Sequence, residues 1–285
     1  MKYQFIAQQQ LDYPIKTMCR VLGVAESGYY AWRRRAPSRQ SQQNTVLGER
    51  IARIYQANRQ VYGSPRIHAA LRAEGQHCGR KRVARLMREQ GLSAKRRTHR
   101  VRTTDSQHEH PVAPNLLNRD FTASAPNSKW VADITGVWTW EGWLYLAVVL
   151  DIFSRMVVGW AMDQYRDEAL VEQAALMALA RRHPEPGLLH HSDRGSQYAA
   201  QDYRALLARC GIIVSMSRKA DCYDNALMES FIGTLKSECV DRESYQTQEE
   251  ARHSIFAYLE VFYNRQRLHS SLGYVSPVTY EQQLK

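Results

Sequence analysis

Between Lys129 and Met162 three strand-like runs follow one another with little between them, and this order restricts the fold more than any other feature of the chain. Lys129 to Thr139 alternates toward a strand, Glu141-Gly142 offers a turn, Trp143 to Asp151 is almost continuously apolar, and Met156 to Met162 is a third run. Such runs, joined by short turns, predict an antiparallel meander. The pattern then changes. An amphipathic helix from about Asp167 to Arg182 leads to a short strand into Asp193. A helix near Gln201 to Cys210, a strand Ile212 to Ser215 and a long helix from Asp224 to about Cys239 follow. A meander that passes into alternating helices and strands describes a mixed α/β sheet covered on both sides.

A ribonuclease-H-like core with a mixed five-stranded sheet is the fold this order fits. The residues before it are helical in pattern. Met18, Val21 and Leu22, then Gly23-Val24, then Tyr29, Tyr30 and Trp32 read as helix, tight turn and second helix, ending in Arg33-Arg34-Arg35. Residues 36–45, with Pro37, Ser38 and Gln/Ser repeats, read as a linker. In a second unit Ile51, Ile54 and Tyr55 share a helical face, and Tyr62-Gly63-Ser64-Pro65 breaks it. Ser64 is expected to cap a helix to about Glu74 with Pro65 at its first position. Gly75 turns the chain into a helix from Gly79 to Gln90, with Val83, Leu86 and Met87 inward and Arg80, Lys81, Arg82, Arg85 and Arg88 mostly outward. The expected domains are a helix-turn-helix-like segment with linker at 1–45 and a helix-turn-helix-like DNA-binding domain at 46–102. A linker at 103–126 leads to the catalytic core with its C-terminal helical extension at 127–285.

Charge supports that division. Residues 1–125 hold 23 Lys/Arg against 8 Asp/Glu, a net +15, while the remaining 160 hold 16 against 20, a net −4. The front of the chain is suited to a polyanion. A basic second helix after a short Gly-containing turn is what major-groove recognition needs, because its side chains must reach phosphates and base edges together. Lys95-Arg96-Arg97, Arg100 and Arg102 extend the positive charge toward residues 103–128, a Pro, Asn and Thr rich stretch read as a linker lying on DNA. Five cysteines, odd in number and without a Cys-x-x-Cys pair, argue against a disulfide framework or a zinc ribbon and for a reducing compartment. The N-terminus lacks a hydrophobic signal core and the strongest apolar run, Trp143 to Leu150, is too short for a bilayer, so no membrane role is indicated.

Three carboxylates stand out in the core. Asp133 closes a strand-like run before a Gly, Asp193 follows the apolar Leu188-Leu189, and Glu229 sits on a segment with helical spacing at Leu227, Phe231 and Leu235. Hard oxygen ligands converging from separate elements suit Mg²⁺ or Mn²⁺. Phosphoryl transfer on DNA is the chemistry a pair of such ions serves. Other candidates have plainer readings. Asp151 is expected to pair with Arg155, Asp224 to cap the helix that carries Glu229, and His190 and His191 to pack in a strand rather than bind metal. Arg194, Gln197 and Tyr198 open the next helix and either steer DNA or cap it. Tyr263 to Tyr274 interleaves Arg265, Arg267 and His269 with aromatic residues, as a helix end does when it packs on a core while its cations touch DNA; a simple closing helix with a stop at Pro277 is the alternative.

The spacing resembles that of DDE transposases and retroviral integrases: 35 residues separate Asp193 from Glu229, and Lys236 follows by seven. The words Trp130-Val131-Ala132-Asp133-Ile134-Thr135, His191-Ser192-Asp193-Arg194-Gly195-Ser196-Gln197-Tyr198, Asp224-Asn225-Ala226 and Tyr263-Asn264-Arg265-Gln266-Arg267-Leu268-His269 resemble OrfB, the second-frame product of IS-three family insertion sequences. Leu22-Gly23-Val24 to Trp32 and Tyr62-Gly63-Ser64-Pro65-Arg66-Ile67 extend the likeness over nearly the whole chain. The resemblance implies a transposase that binds terminal inverted repeats and target DNA, and cleaves and joins strands. Two Mg²⁺ ions, replaceable by Mn²⁺, would be held by Asp133, Asp193 and Glu229. Lys236 and Asn225, on one helical face with Glu229, would contact DNA. It also implies an OrfA partner or a frameshifted fusion with OrfA, a homo-oligomer on DNA, and a bacterial cytoplasmic location at the nucleoid. A non-catalytic regulator of transposition and a structure-selective nuclease on the same core are the competing readings.

Overall fold

The computed structural model describes residues 1–94, 112–219 and 221–284. They form two compact units, Met1–Ala52 and Arg53–Lys285. The charged words Lys95-Arg96-Arg97, Arg100 and Arg102 and the first part of the expected linker lie outside the described residues.

The first unit contains α1 (Lys2–Gln8), α2 (Ile15–Val21) and α3 (Glu26–Arg34). Gly23 turns between α2 and α3 with φ of +61°, a left-handed conformation open to glycine at little cost. Ile6, Met18, Cys19 and Tyr29 form its core, flanked by Tyr3 and Trp32. The helix-turn-helix reading holds, and α1 adds a helix that sequence patterning missed. The expected linker is different: α4 runs from Arg39 to Ala57, so most of residues 36–45 is helical.

In the second unit α5 (Ser64–Ala73) and α6 (Arg80–Glu89) form the basic hairpin. Gly63, not Ser64, occupies the cap of α5, and Pro65 falls within its first turn. Val83, Leu86 and Met87 are buried on α6, while Arg80, Lys81, Arg85 and Arg88 are exposed and Arg82 is half-buried.

The sheet has five strands: β1 (Lys129–Thr139), β2 (Gly142–Asp151), β3 (Val157–Asp163), β4 (Leu189–Ser192) and β5 (Ile213–Met216), in the order β3-β2-β1-β4-β5. The first three pair antiparallel and β4 and β5 join in parallel, the ribonuclease-H-like arrangement. One face, with Trp130, Ala132, Ile134, Ala147 and Val149, packs against α7 (Glu168–Arg182) and α9 (Gln201–Arg209); α8 (Ser196–Ala199) precedes α9. Asp167 caps α7 by accepting from the Leu170 N–H at 3.1 Å. Gly159 on β3 lets α7 come close, since a Cβ there would lie 2.7 Å from the Ala178 nitrogen.

Against β1 lies α10 (Ala226–Glu238), followed by α11 (Gln248–Phe256), a π-helical segment Ala257–Tyr263 and α12 (Pro277–Gln282). Pro277 opens α12 rather than stopping a helix. Asn264 accepts from the Val157 N–H and donates to its carbonyl, both at 2.9 Å, and so imitates a strand at the start of β3. Residues 112–126 are also not a free linker. Leu117 is buried, Ser215 Oγ accepts from the Leu116 and Leu117 N–H groups, and Asn115 and Arg119 hold Asp224.

Two sequence words 200 residues apart meet in this unit. The Tyr62 hydroxyl donates to the Gln266 carbonyl at 3.3 Å and accepts from the Leu268 N–H at 2.8 Å. Arg66 Nε donates to the Leu268 carbonyl at 2.8 Å. The basic hairpin is thereby fastened to the C-terminal extension of the core, although sequence patterning separates them into different domains. Among the described residues no helix is long and apolar enough to cross a membrane.

Candidate active site

Asp133 does not close its strand but sits mid-strand on β1, which pairs with β2 through Thr139; it lies opposite Val148 of β2, and its Oδ1 accepts from the Ile134 N–H at 2.8 Å. On the other side β1 pairs with β4 in parallel, Val131 beside His191. Two residues further along each strand stand Asp133 and Asp193, so the register carries both aspartates to the same level of the sheet. Asp193 lies one residue past β4, at the carboxyl end of a parallel strand, where open α/β sheets place their ligands. The Gly195 N–H donates to Asp193 Oδ1 at 2.9 Å. A Cβ on Gly195 would stand 3.0 Å from the same oxygen, so the turn is built close around this carboxylate.

Glu229 comes from the first turn of α10. Asn225 caps that helix and its Nδ2 donates to the carbonyl of Ala132, one residue before Asp133, at 3.3 Å. This bond fixes the start of α10 against β1. Asn225 is therefore buried and faces the sheet, where the sequence reading put it on the DNA-facing side with Lys236. Lys236, two turns beyond Glu229 on α10, is half-buried. Asp224 is not the cap of α10 either. Fully buried, it accepts from the Arg218 N–H and guanidinium at 2.7 to 2.9 Å, from Arg119 Nε at 3.0 Å and from Asn115. The Arg218 guanidinium holds its carboxyl well below the usual carboxylate range.

The three expected carboxylates are half-buried and act on one another electrostatically. Desolvation, then the charge of Asp193 and more weakly that of Glu229, push the Asp133 carboxyl up to about 8, against the opposing Ile134 N–H and Arg166. Like charges that cannot all ionise together give this shift. Among the described residues no three His, Cys, Asp or Glu side chains stand close enough together to hold a metal ion as they are arranged.

Two further groups belong to the site. Arg166, in the loop after β3, is the cation nearest in effect to Asp133, and its carbonyl accepts from Gln197 Nε2 at 2.9 Å. No sequence pattern marks it. Tyr198 is 2% exposed, its hydroxyl is buried with no hydrogen-bond partner, and burial followed by the charge of Asp133 raises its pKa. It belongs to the interior beside the carboxylates rather than to a DNA-steering surface.

The competing residues are structural. Asp151 accepts from the Asn127 and Phe153 N–H groups, and its ionic neighbour is Arg182 at 3.7 Å rather than Arg155. His190 contacts the Tyr203 hydroxyl at 3.1 Å, and His191 sits between the Ser215 and Ser217 hydroxyls. Burial pushes both imidazoles down to about 4. Of the C-terminal cations, Arg267 and His269 are buried and Arg265 is exposed. Arg267 forms a two-pronged pair with Glu238 at 2.6 and 2.7 Å.

The integrase core domain family matches residues 123–222, a second integrase core domain family 210–277, and an HTH-like domain family 42–100. The chain is 46% identical over 265 residues to an insertion element IS600 uncharacterized 31 kDa protein of Shigella sonnei, covering 93% of this chain and 97% of that one. It is 44% identical over 283 residues to transposase InsF for insertion sequence IS3A of Escherichia coli K12, covering 99% and 98%. The HTLV-2 integrase catalytic core domain in complex with magnesium matches at 15% identity and a TM-score of 0.44, over 56% of this chain and 99% of that one. An integrase core preceded by helix-turn-helix units defines a polynucleotidyl transferase of the transposase and integrase class. Within that class the chain belongs to the IS3 family of insertion-sequence transposases.

Proposed function

We propose that the chain cleaves and joins DNA strands at the ends of an insertion sequence by a DDE mechanism, with Asp133, Asp193 and Glu229 as catalytic residues. The observation that carries this reading is the arrival of two aspartates at one level of adjoining strands, within electrostatic reach of a glutamate fixed by the cap of α10. A divalent cation fits the donor chemistry. The donors are all carboxylate oxygens, and burial, then the charge of Asp193, raises the pKa of Asp133, a penalty that a bound cation would offset. Asp133 and Asp193 would hold Mg²⁺, or Mn²⁺ in its place, with Glu229 completing the set of ligands for two ions. Bound there, such cations activate the attacking hydroxyl and offset charge on the leaving oxygen.

The chain's own groups do the rest. Glu229 is delivered by a rigid helix, so its position does not depend on a loop. Arg166 opposes the negative charge of the carboxylates and keeps them within the same site. Arg80, Lys81, Arg82, Arg85 and Arg88 on α6, joined by Lys236 on α10, hold phosphates of the terminal inverted repeat and the target. Cleavage and joining proceed by direct attack: water breaks a P–O bond at the element's end and frees a 3′-hydroxyl, which then attacks a target phosphate and displaces the target's 3′-oxygen, without an intermediate bonded to the protein. An OrfA partner or fusion and assembly of several copies on DNA complete the proposal, with the nucleoid as the working location.

The test is strand joining by purified protein, alone and fused to its OrfA partner, on a labelled insertion-sequence end with Mg²⁺. Joined product from the native chain and none from Glu229→Gln, with binding of the end retained, is the expected result. End binding without any joining by either form of the native chain would instead favour a regulatory DNA-binding protein, and cleavage without joining a nuclease.

A further inference from the structure

A cleft of about 310 Å³ opens beside α10, between Leu150 of β2, the turn after β2 and the segment 263–271. Its walls carry three guanidinium groups, Arg66, Arg155 and Arg267, together with the hydroxyls of Thr234 and Ser271, and no carboxylate lines it. The acids that serve these cations stand behind the walls: Glu238 is taken up by Arg267 in a two-pronged pair and stands 3.6 Å from Arg66, and Asp151 acts on Arg155 through its charge. Three positive charges therefore meet two negative ones, and Asp151 is shared with Arg182.

Arg155 has the least compensation. Its Nη2 reaches the Phe121 carbonyl at 3.4 Å, and its Nη1 is buried with no partner. Its backbone has φ of +60°, an uncommon and costly conformation for a residue with a side chain. Burial and then the charges of Arg267, Arg66 and Arg155 hold the adjacent His269 well below its ordinary pKa, so the excess positive charge acts at one point. A buried, unpaired guanidinium donor is a costly arrangement that a tetrahedral oxyanion would satisfy.

Leu227, Ser230, Phe231 and Thr234 line the cleft at helical spacing, one stripe of α10 that is different from the stripe carrying Glu229. We propose that the cleft receives a backbone phosphate of the bound DNA, at a point separate from the carboxylate site. This rests on the strand-transfer reading above; the shared chemistry, a tetrahedral phosphate, could also come from free inorganic phosphate.

The experiment measures binding of a labelled duplex carrying the element's end, by fluorescence anisotropy in EDTA, over about 50 to 200 mM salt. The native chain is compared with Arg155→Gln, Arg155→Lys and Ser271→Glu. Ser271 is exposed, so its variant tests the cleft without disturbing packing, and melting temperatures check that every variant folds. Arg155→Gln and Ser271→Glu should each weaken binding several-fold and flatten the log–log salt slope by about 0.9, the loss of one phosphate contact, while Arg155→Lys keeps the native slope. A second arm titrates inorganic phosphate into the same proteins by calorimetry. Unchanged DNA slopes in folded Arg155→Gln and Ser271→Glu overturn the proposal. If phosphate binding is lost in those variants while DNA slopes stay native, the cleft holds free phosphate, and the DNA assignment is wrong. Because no catalysis is involved, failure of strand joining by the native chain bears on the transposase reading, and the slopes bear on the cleft.

Discussion

Asp133 binds its proton far more tightly in the fold than in an unfolded chain, where an aspartate titrates near pH 4. Folded, it titrates near 8, because desolvation and the charge of Asp193 disfavour ionisation. Stability that this carboxyl leaves intact below about pH 4 is therefore lost progressively as pH climbs through about 8. A divalent cation must displace the same proton. The melting temperature gained on adding Mn²⁺ should be larger at about pH 8.5 than at about pH 6, and Asp133→Asn should remove that difference. Equal gains at both pH values in the native chain would mean that Asp133 does not take part in binding the cation. At this scale the three carboxylates were legible from their spacing and the hard chemistry of their oxygens. Arg166 and the buried Tyr198 hydroxyl were not, since each reaches the site through a fold that joins the loop after β3 to the start of α8.

Close approach of elements places a different demand on the chain. Gly159 of β3 leaves no room for a methyl group against α7, and neither the Ala174 carbonyl nor the Ala178 nitrogen can retreat without breaking the helix. Gly159→Ala should cost about 1 to 3 kcal/mol, read from denaturant unfolding. A loss near zero would mean that β3 and α7 can move apart. On α6 the exposed Arg80, Lys81, Arg85 and Arg88 make no part of the apolar face formed by Val83, Leu86 and Met87. Each Arg or Lys→Ala change there should flatten the salt dependence of DNA binding by about 0.9 while leaving thermal stability nearly unchanged. An unaltered slope after replacing all four would remove α6 from the DNA interface. The 3.6-residue pattern made α6 and α10 visible, whereas caps at Gly63 and Asn225 were misassigned by one residue. Local sequence alone rarely decides a helix end, which settles where packing and hydrogen bonds are best met.

The second unit as a whole is closed by contacts across some 200 residues, Tyr62 and Arg66 with residues 266–268, and by the shorter-range pair of Glu238 with Arg267. Tyr62→Phe removes two hydrogen bonds and leaves the Leu268 N–H without its partner, a loss of about 1 to 3 kcal/mol. Hydrogen exchange should then speed up in α5 and α6 more than in β1 and β2; a uniform change, or none, would show that this contact does not hold the hairpin to the core. Charge asymmetry and the strand order from β1 to β5 were determined by the sequence itself, because periodicity records burial and basic residues record a polyanionic partner. So were the three carboxylates and the helix-turn-helix pattern of the first unit. Only the tertiary structure decided that residues 112–126 form a strap on the core, and that Asn264, Arg267 and His269 are buried within the fold. The physical reason is common to these cases. Spacing along a chain reports which face a residue shares with its neighbours, but the partner that satisfies a buried amide or guanidinium comes from a distant segment and exists only once the chain has closed.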